Sequence, residues 1–270
     1  MLTLQNIRRT FHPGTVNEVR ALRSVSLEIP AGSFVIVLGG NGSGKSTLLN
    51  AVAGSFFVDE GRIVLAGNDI TRWPEHRRAR HIGRVFQNPF SGTAPNMSIA
   101  ENFALAARRG RTHGLGWALN RKLYDELRDR ARALKMGLED RLDNAIGSLS
   151  GGQRQALTLL MASWLKPDLL LLDEHTAALD PKSAEQVLQL TAQIVARDQL
   201  TTLMVTHSMA QAAAHGDRLL MMHQGKVFHD FSGADKRRLR PEDLLGYFDD
   251  LRRRDLLDES AAALLREQYG

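Results

Sequence analysis

The sequence predicts an α/β fold built on a mostly parallel sheet. Three features carry that expectation. Uninterrupted apolar runs, Phe34-Val35-Ile36-Val37-Leu38 and Leu169-Leu170-Leu171-Leu172, read as strands buried on both faces. Stretches with apolar residues every three or four positions, the period of a helix packed on one side, alternate with these runs. The first run ends in glycines and the second in two carboxylates, and in such sheets ligands bind outside the carboxyl ends of the strands.

Taken in order, the first ninety residues read as short strands joined by turns. After Phe34–Leu38, the pattern becomes helical from Ser46, with Leu48, Leu49, Val52 and Ala53 on one side and Gly54 as the stop. Between Gln87 and Ser150 the texture changes. Leu119, Leu123, Leu127, Ala131 and Leu134 recur at helical spacing between Arg121, Lys122, Glu126 and Arg128, which predicts an amphipathic helix in a largely helical insertion at about 91–165. Ser150 opens a helix with apolar positions Ala156, Leu157, Leu160, Met161 and Trp164, ending at Pro167. Strand Leu169–Leu172, helix Ala184–Ala196, strand Thr202–Thr206 and strand Leu219–Met222, turned by Gly225, complete a unit of residues 1–230. A charged extension, 231–270, follows, in which Pro241, Leu244, Leu245, Phe248 and Leu251 suggest a small helical cap. Its Arg252-Arg253-Arg254 run, among Asp249, Asp250, Asp255 and Asp258, reads as a solvated face.

Composition narrows the function classes. The 270 residues are 43% apolar and 24% charged, enough for a sizeable core and against wholesale disorder. With no cysteine, a disulfide framework and any cysteine-ligated zinc or iron–sulfur site are excluded. The apolar runs, Leu169–Leu172 and Phe34–Leu38 included, are far short of the roughly 20 residues that cross a bilayer. The start, Met1-Leu2-Thr3-Leu4-Gln5, lacks the charged-then-apolar order of a secretory signal, so the expectation is a chain soluble by itself. A net charge of +5 permits contact with an anionic surface without requiring nucleic acid. Arg77, Arg78 and Arg80 read as a solvated basic face or as neighbours of anionic lipid headgroups.

The chemistry begins at Gly39-Gly40-Asn41-Gly42-Ser43-Gly44-Lys45-Ser46, which matches G-x-x-x-x-G-K-[ST] between an expected strand and an expected helix. Composition alone makes an accidental match in this chain about a one-in-200 event. Glycines allow successive N–H groups to turn around a polyphosphate, and the following helix aims its positive end at the same anion. Lys45 supplies a mobile charge for the β- and γ-phosphates, and the Ser46 hydroxyl is a hard oxygen ligand for Mg²⁺. The reading is nucleotide binding.

Asp173 and Glu174 close the apolar strand, where both carboxylates can point into the phosphate crevice. Asp173 would hold Mg²⁺, and Glu174 would orient and deprotonate the attacking water. In Leu149-Ser150-Gly151-Gly152-Gln153, Ser150 caps a helix whose exposed start is a second anion site. One ATP does not need two such sites from one chain, whereas two copies facing head to tail would each complete the other's nucleotide.

The set Gly39–Ser46, Gln87 in Val85-Phe86-Gln87-Asn88-Pro89, Leu149–Gln153, Asp173-Glu174, Ala178-Leu179-Asp180 and His207 resembles the ATP-binding cassette family in order and spacing, over about residues 2–230. LSGGQ makes the set highly specific. The resemblance implies a P-loop NTPase with an N-terminal antiparallel β part and an inserted helical subdomain. It implies that ATP and Mg²⁺ are bound by the loop through Thr47, that Ser150, Gly151, Gly152 and Gln153 meet the γ-phosphate of the opposite subunit, and that Asp180 links the two sites. Gln87 would touch Mg²⁺ or the attacking water, and His207 the γ-phosphate. Phe11 stands in the place of the family's adenine-stacking aromatic, unless it is a plain core phenylalanine. Two departures stand out: His175 where many relatives have proline, and Leu160-Met161-Ala162-Ser163 where many have an arginine. Neither removes a catalytic residue.

The family resemblance also implies a membrane setting. A single cassette works through integral membrane permease subunits, and Phe90-Ser91-Gly92-Thr93-Ala94-Pro95 would form part of the wall that accepts a permease helix. The wording of Asp173–Lys182 and Leu203–His207 is most similar to bacterial uptake cassettes that accompany permeases like those for branched-chain amino acids, with periplasmic or lipoprotein solute-binding proteins. The implied place is the cytoplasmic face of the inner membrane, as a peripheral homodimer or a dimer with a related cassette, importing an amino acid or other small solute. The alternative is a soluble cassette ATPase acting on ribosomes or nucleic acid. Such proteins usually carry two cassettes or a long coiled coil, and neither is present.

Overall fold

The computed structural model of the chain describes residues 1–110, 119–251 and 253. Strands β1 (Leu2–Phe11), β2 (Val19–Ile29), β3 (Phe34–Gly39), β4 (Glu60–Leu65) and β5 (Asn68–Asp69) fill the N-terminal part, with helix α1 (Lys45–Ala53) after β3. Helix α2 (Glu75–Arg78) leads to β6 (Ile82–Val85), and α3 (Ile99–Ala107), α4 (Arg121–Ala133) and α5 (Gly151–Ser163) intervene before β7 (Leu169–Asp173). The chain then alternates through α6 (Pro181–Asp198), β8 (Thr202–Thr206), α7 (Met209–Ala214), β9 (Arg218–His223), β10 (Lys226–Ser232) and α8 (Gly233–Arg238), and residues 241–251 are helical.

Two sheets result. β2, β1, β4 and β5, in that order, form an antiparallel sheet, and β10, β9, β3, β8, β7 and β6 form the second. In the second sheet every neighbouring pair is parallel except β10 with β9 at one edge. The mostly parallel core expected from the sequence is observed, with the antiparallel part at the N-terminus.

The apolar runs dictate this layering. All six residues of β3 are buried, and their side chains alternate between two cores. Ile36 and Leu38 face a core shared with Phe103 of α3, Leu127 of α4, Leu157 of α5 and Leu188 of α6. Val35 and Val37 face the opposite core, with Leu48 of α1 and Ile7, Leu27 and Ile63 of the antiparallel sheet. Leu170 and Leu172 of β7 join the first core, and Leu169 and Leu171 the second. At about 1.5–3 kcal/mol for each fully buried aliphatic side chain, burial on both faces holds these strands firmly between the two cores. The carboxyl ends of β3, β7 and β8 are thereby held side by side.

Some local expectations need correction. Leu119 lies outside α4, because the Asn120 side chain accepts the Leu123 N–H and caps the helix there. Helix α5 stops at Ser163 rather than reaching Pro167, because Lys166 adopts φ +47° and turns the chain first. Arg78 is not part of a solvated face. It is 1% exposed and donates to the Ala51, Val52, Thr71 and Trp73 carbonyls, tying down the last turn of α1. Arg77 and Arg80 are exposed. In the helical segment 241–251, Leu244 is fully buried and Tyr247 and Phe248 pack against the same core, whereas Leu245 is exposed. Arg253 is exposed, whereas Arg252, Arg254, Asp255 and Asp258 lie outside the described residues. No helix among the described residues is long and apolar enough to cross a membrane.

His175 belongs to the core. It is 2% exposed, and its Nε2 lies 3.0 Å from Thr191 Oγ1 on α6. The Thr191 hydroxyl donates to the Val187 carbonyl, so Nε2–H is the donor of the pair. Burial, with the nearby His215, pushes its pKa down to about 4. An ordinary histidine titrates near 6.5, so the unfolded chain binds the extra proton as pH falls from about 6.5 to 4, and stability falls in that window. Between pH 7 and pH 5 this one group removes about 2 kcal/mol. Urea unfolding at the two pH values should show His175→Asn losing less stability than wild type by about that amount; equal losses would contradict a neutral buried imidazole.

Candidate nucleotide-binding site

The loop after β3 is shaped by two glycines that nothing else could replace. A Cβ on Gly39 would stand 2.5 Å from the Met222 carbonyl oxygen and from Ser43 Oγ. Gly44 has φ +99°, and a Cβ there would stand 2.5 Å from the Ala21 carbonyl oxygen. The Gly225 N–H donates to the Ser43 carbonyl, pinning the loop to the β9–β10 turn. Gly40, Asn41 and Gly42 are exposed at its crest.

Lys45 is drawn back under this crest. Only 5% exposed, its Nζ donates to the carbonyls of Gly39 (2.8 Å) and Gly40 (3.0 Å) and lies 3.9 Å from Glu174 Oε1. Burial lowers its pKa, while Glu174 and Asp173 pull the other way. Helix α1 starts here with no side-chain cap and no acidic residue in its first turn. Helices α3 to α6, by contrast, are each capped by a side chain, of Ser98, Asn120, Ser150 and Asp180. The uncapped start of α1 therefore offers its free N–H groups and positive end to an anion.

A backbone turn gathers the carboxylates. Asp173 is the last residue of β7, and Glu174, whose N–H donates to the Val205 carbonyl of β8, adopts φ +45°. The reversal brings both acids to one side of the sheet end. Asp173 Oδ1 accepts from Ser46 Oγ at 3.4 Å, and its Oδ2 lies 3.6 Å from Arg84 Nη2. Glu174 Oε2 lies 3.3 Å from Nδ1 of His207, which follows β8 and is exposed. Burial pushes the Asp173 pKa up, and the Arg84 charge opposes it.

Ser46 and Asp173 suit a divalent ion. They present two hard oxygens, and among the described residues no group of three or more His, Cys, Asp or Glu gathers to hold a metal alone. An ion here would complete its shell with phosphate and water oxygens, the habit of Mg²⁺.

Other expected residues lie apart from this cluster. Ser150 caps α5 in a capping box: its Oγ accepts the Gln153 N–H, and Gln153 Oε1 accepts the Ser150 N–H. Ser150 and Gly151 are exposed, while a Cβ on the buried Gly152 would stand 2.8 Å from Ser183 Cβ of α6. Among the described residues no hydrogen bond joins Ser150–Gln153 to the Gly39–Thr47 loop. Asp180 is exposed and caps α6 by accepting the Ser183 N–H, which holds its carboxyl below the usual range. Gln87 is exposed just beyond β6. Phe11 is half-buried, edge-on to Phe56 at 5.5 Å, with the Arg9 guanidinium 4.8 Å from its ring. It lines a cleft of about 1320 Å³ with Arg9, Arg20, Arg23 and Lys226.

Two features escaped the sequence. Arg84 was foreshadowed only as a lone charge in an apolar strand. The chain Thr206–Gln211–Thr176, in which Thr206 Oγ1 donates to Gln211 Oε1 and Gln211 Nε2 to Thr176 Oγ1, ties the base of His207 to the turn after Glu174; nothing in the spacing announced it. A separate groove of about 450 Å³ is lined by Phe86, Ser91–Ala94, Leu105, Arg109 and Met161. Phe90 turns away from it, over the Arg154 guanidinium at 3.7 Å.

Comparisons with known proteins agree with this geometry. Residues 22–177 match the family model described as ABC transporter. The chain is 41% identical over 250 residues, 92% of its own length and 99% of the relative's, to the tyrosine transport ATP-binding protein of Clostridioides difficile (strain R20291). It is 34% identical to the phosphate import ATP-binding protein PstB of Aeropyrum pernix, over 84% of this chain and 89% of that one. Among solved structures it superposes on the dimeric post-hydrolysis state of the ATP-binding cassette MJ0796 bound to ADP and Pi, with TM-score 0.72 and 27% identity over 86% of this chain and 98% of that one. A phosphate loop with a buried lysine, paired acids at the end of β7 and this breadth of similarity have one reading: the chain belongs to the ABC transporter family and is an ATP-hydrolysing cassette.

Proposed function

We propose that this chain is the ATP-hydrolysing subunit of a membrane importer for an amino acid or similar small solute, and that it works as a head-to-tail dimer of cassettes. The observation that carries the hydrolytic reading is the convergence of Lys45, Ser46, Asp173, Glu174 and His207 outside the ends of β3, β7 and β8. Import is supported by the similarity to a phosphate import ATP-binding protein, and an amino-acid solute by the near end-to-end similarity to a tyrosine transport ATP-binding protein. Residues 1–230 form the ATPase unit in this reading, with the helical part at about 91–165, and 231–270 is an extension of it.

Each residue then has a task. The N–H groups of Gly40–Thr47 surround the β- and γ-phosphates, and Lys45 exchanges the Gly39 and Gly40 carbonyls for phosphate oxygens. Ser46 and Asp173, with Gln87 from the adjoining loop, would hold Mg²⁺, which supplies charge neutralisation as the γ-phosphate departs. Glu174 accepts the proton of the attacking water, and His207, held 3.3 Å from it, donates to the γ-phosphate. Phe11 stacks on the adenine at the edge of its basic cleft.

The second half of the pocket comes from a twin copy. The Ser150 hydroxyl accepts from Gln153 N–H and still has its own proton to donate, and the exposed Gly151 N–H stands beside it. Both face the γ-phosphate on the opposite subunit, with Asp180 alongside. The groove between Phe86 and Leu105 takes a cytoplasmic helix of the permease, so that closure of the cassettes moves the membrane part.

Two measurements test this. General-base assistance is worth about 10²–10⁴ in rate, or roughly 3–5 kcal/mol, so Glu174→Gln should lose that much turnover while ATP affinity stays within a few-fold. Undiminished turnover would remove Glu174 from its role. With its permease and solute-binding protein in vesicles, the wild-type chain should drive uptake of labelled tyrosine only when ATP is on the cassette side. ATP-independent uptake, or ATP-driven efflux, would contradict the importer reading.

A further inference from the structure

Arg84 is a charge in an apolar place. Its neighbours on β6, Ile82, Gly83 and Val85, are buried, and its own side chain is 14% exposed. The guanidinium is held from several sides. Nη2 donates to Asn50 Oδ1 on α1 (2.5 Å), Nη1 donates to Ser55 Oγ (3.2 Å), and the plane lies 4.5 Å from the Phe86 ring centroid. The same Nη2 is 3.6 Å from Asp173 Oδ2. The Asp173 carboxylate is thus divided: one oxygen meets Ser46, the other looks to Arg84.

We propose that Arg84 is a positioning residue of the metal site, acting through Asp173: it keeps Oδ1 turned toward Ser46 and weakens the pull of this carboxylate on Mg²⁺. The inference rests on the reading that Ser46 and Asp173 hold Mg²⁺. The sign follows from charge. A divalent cation arriving at Asp173 meets a carboxylate already partly neutralised by a fixed monovalent one, the two side chains being only 14% and 16% exposed, where such repulsion is felt more than in bulk water. The orienting share is the smaller one. At 3.6 Å the ion pair is long, and pairing with Val205 of β8 already fixes the Asp173 backbone. Tempered metal affinity lets the ion leave with the products after hydrolysis.

The test uses full-length protein carrying Glu174→Gln, so that no turnover intervenes. Binding of a fluorescent N-methylanthraniloyl ATP is followed while Mg²⁺ is titrated. Arg84→Gln removes the charge and retains a hydrogen-bonding group for Asn50. It should lower the half-saturating Mg²⁺ concentration about 3- to 10-fold, whereas Arg84→Lys, which keeps the charge without the fork, should stay within about twofold of the parent. A role confined to packing on Phe86 would change thermal stability in both variants and leave the midpoint alone. If Gln prevents folding, Arg84→Met preserves the stem on Phe86 and should give the same shift. An unchanged or raised midpoint in the neutral variants overturns the inference. Asp173→Asn separates that failure from failure of the underlying reading. If it abolishes the Mg²⁺ dependence while Arg84→Gln has no effect, only the role of Arg84 falls. If the dependence survives Asp173→Asn, the assignment of the metal to Asp173 falls as well.

Discussion

The structure turns on one buried ammonium. Lys45 is almost wholly removed from water, yet its partners are two loop carbonyls and a carboxylate 3.9 Å away. A charge kept in such a place needs oxygens arranged around it, and the surrounding fold supplies them. Gly39 and Gly44 permit the loop to double back over the side chain, β3 carries the loop to the end of the sheet, and the positive φ at Glu174 swings a carboxylate toward it. A triphosphate fits this frame because it replaces weak carbonyl acceptors with full negative charges while satisfying the uncapped first turn of α1.

The contrast between α1 and α5 underlies the proposal that two chains share each nucleotide. Helix α1 leaves its first N–H groups without a side-chain acceptor, so its start is a demand for an anion. Helix α5 satisfies itself through Ser150 and Gln153, and what remains is an outward hydroxyl proton and a glycine-flanked surface. The first site binds; the second is suited to touching an anion already bound elsewhere. α5 packs against α6 through Gly152 and Ser183, and α6 begins at Asp180 just after the Glu174 turn. In the proposed dimer, the α5 tip is therefore braced against the segment next to the chain's own Glu174, a short mechanical path between the two halves of the pocket.

How much of this the amino-acid order announces depends on whether the deciding partner is local. Strands β3 and β7 are legible because both of their faces are apolar, and the Ser150 and Gly54 boundaries because cap and stop are written in adjacent residues. The antiparallel sheet follows only from family resemblance: β1 carries register shifts around Asn6, which has φ +50°, and these break the alternation that marks a half-buried strand. Arg78 looks like surface among three arginines, but carbonyls that hold it belong to Ala51 and Val52, 27 and 26 residues earlier. Arg84 is the same lesson at the site. Lys45, Ser46, Asp173 and Glu174 stand in recognisable motifs, whereas the cation that tempers Asp173 sits on the neighbouring strand with no motif of its own.

The central claim is that ATP is held between two copies of the chain. Sedimentation equilibrium of the Glu174→Gln protein with saturating ATP and Mg²⁺ tests it most directly. The account predicts a particle of twice the 29.9 kDa chain mass that returns to single chains when ATP is removed, and no such particle when Ser150→Arg is added. A nucleotide-saturated protein that sediments only as single 29.9 kDa chains would contradict it.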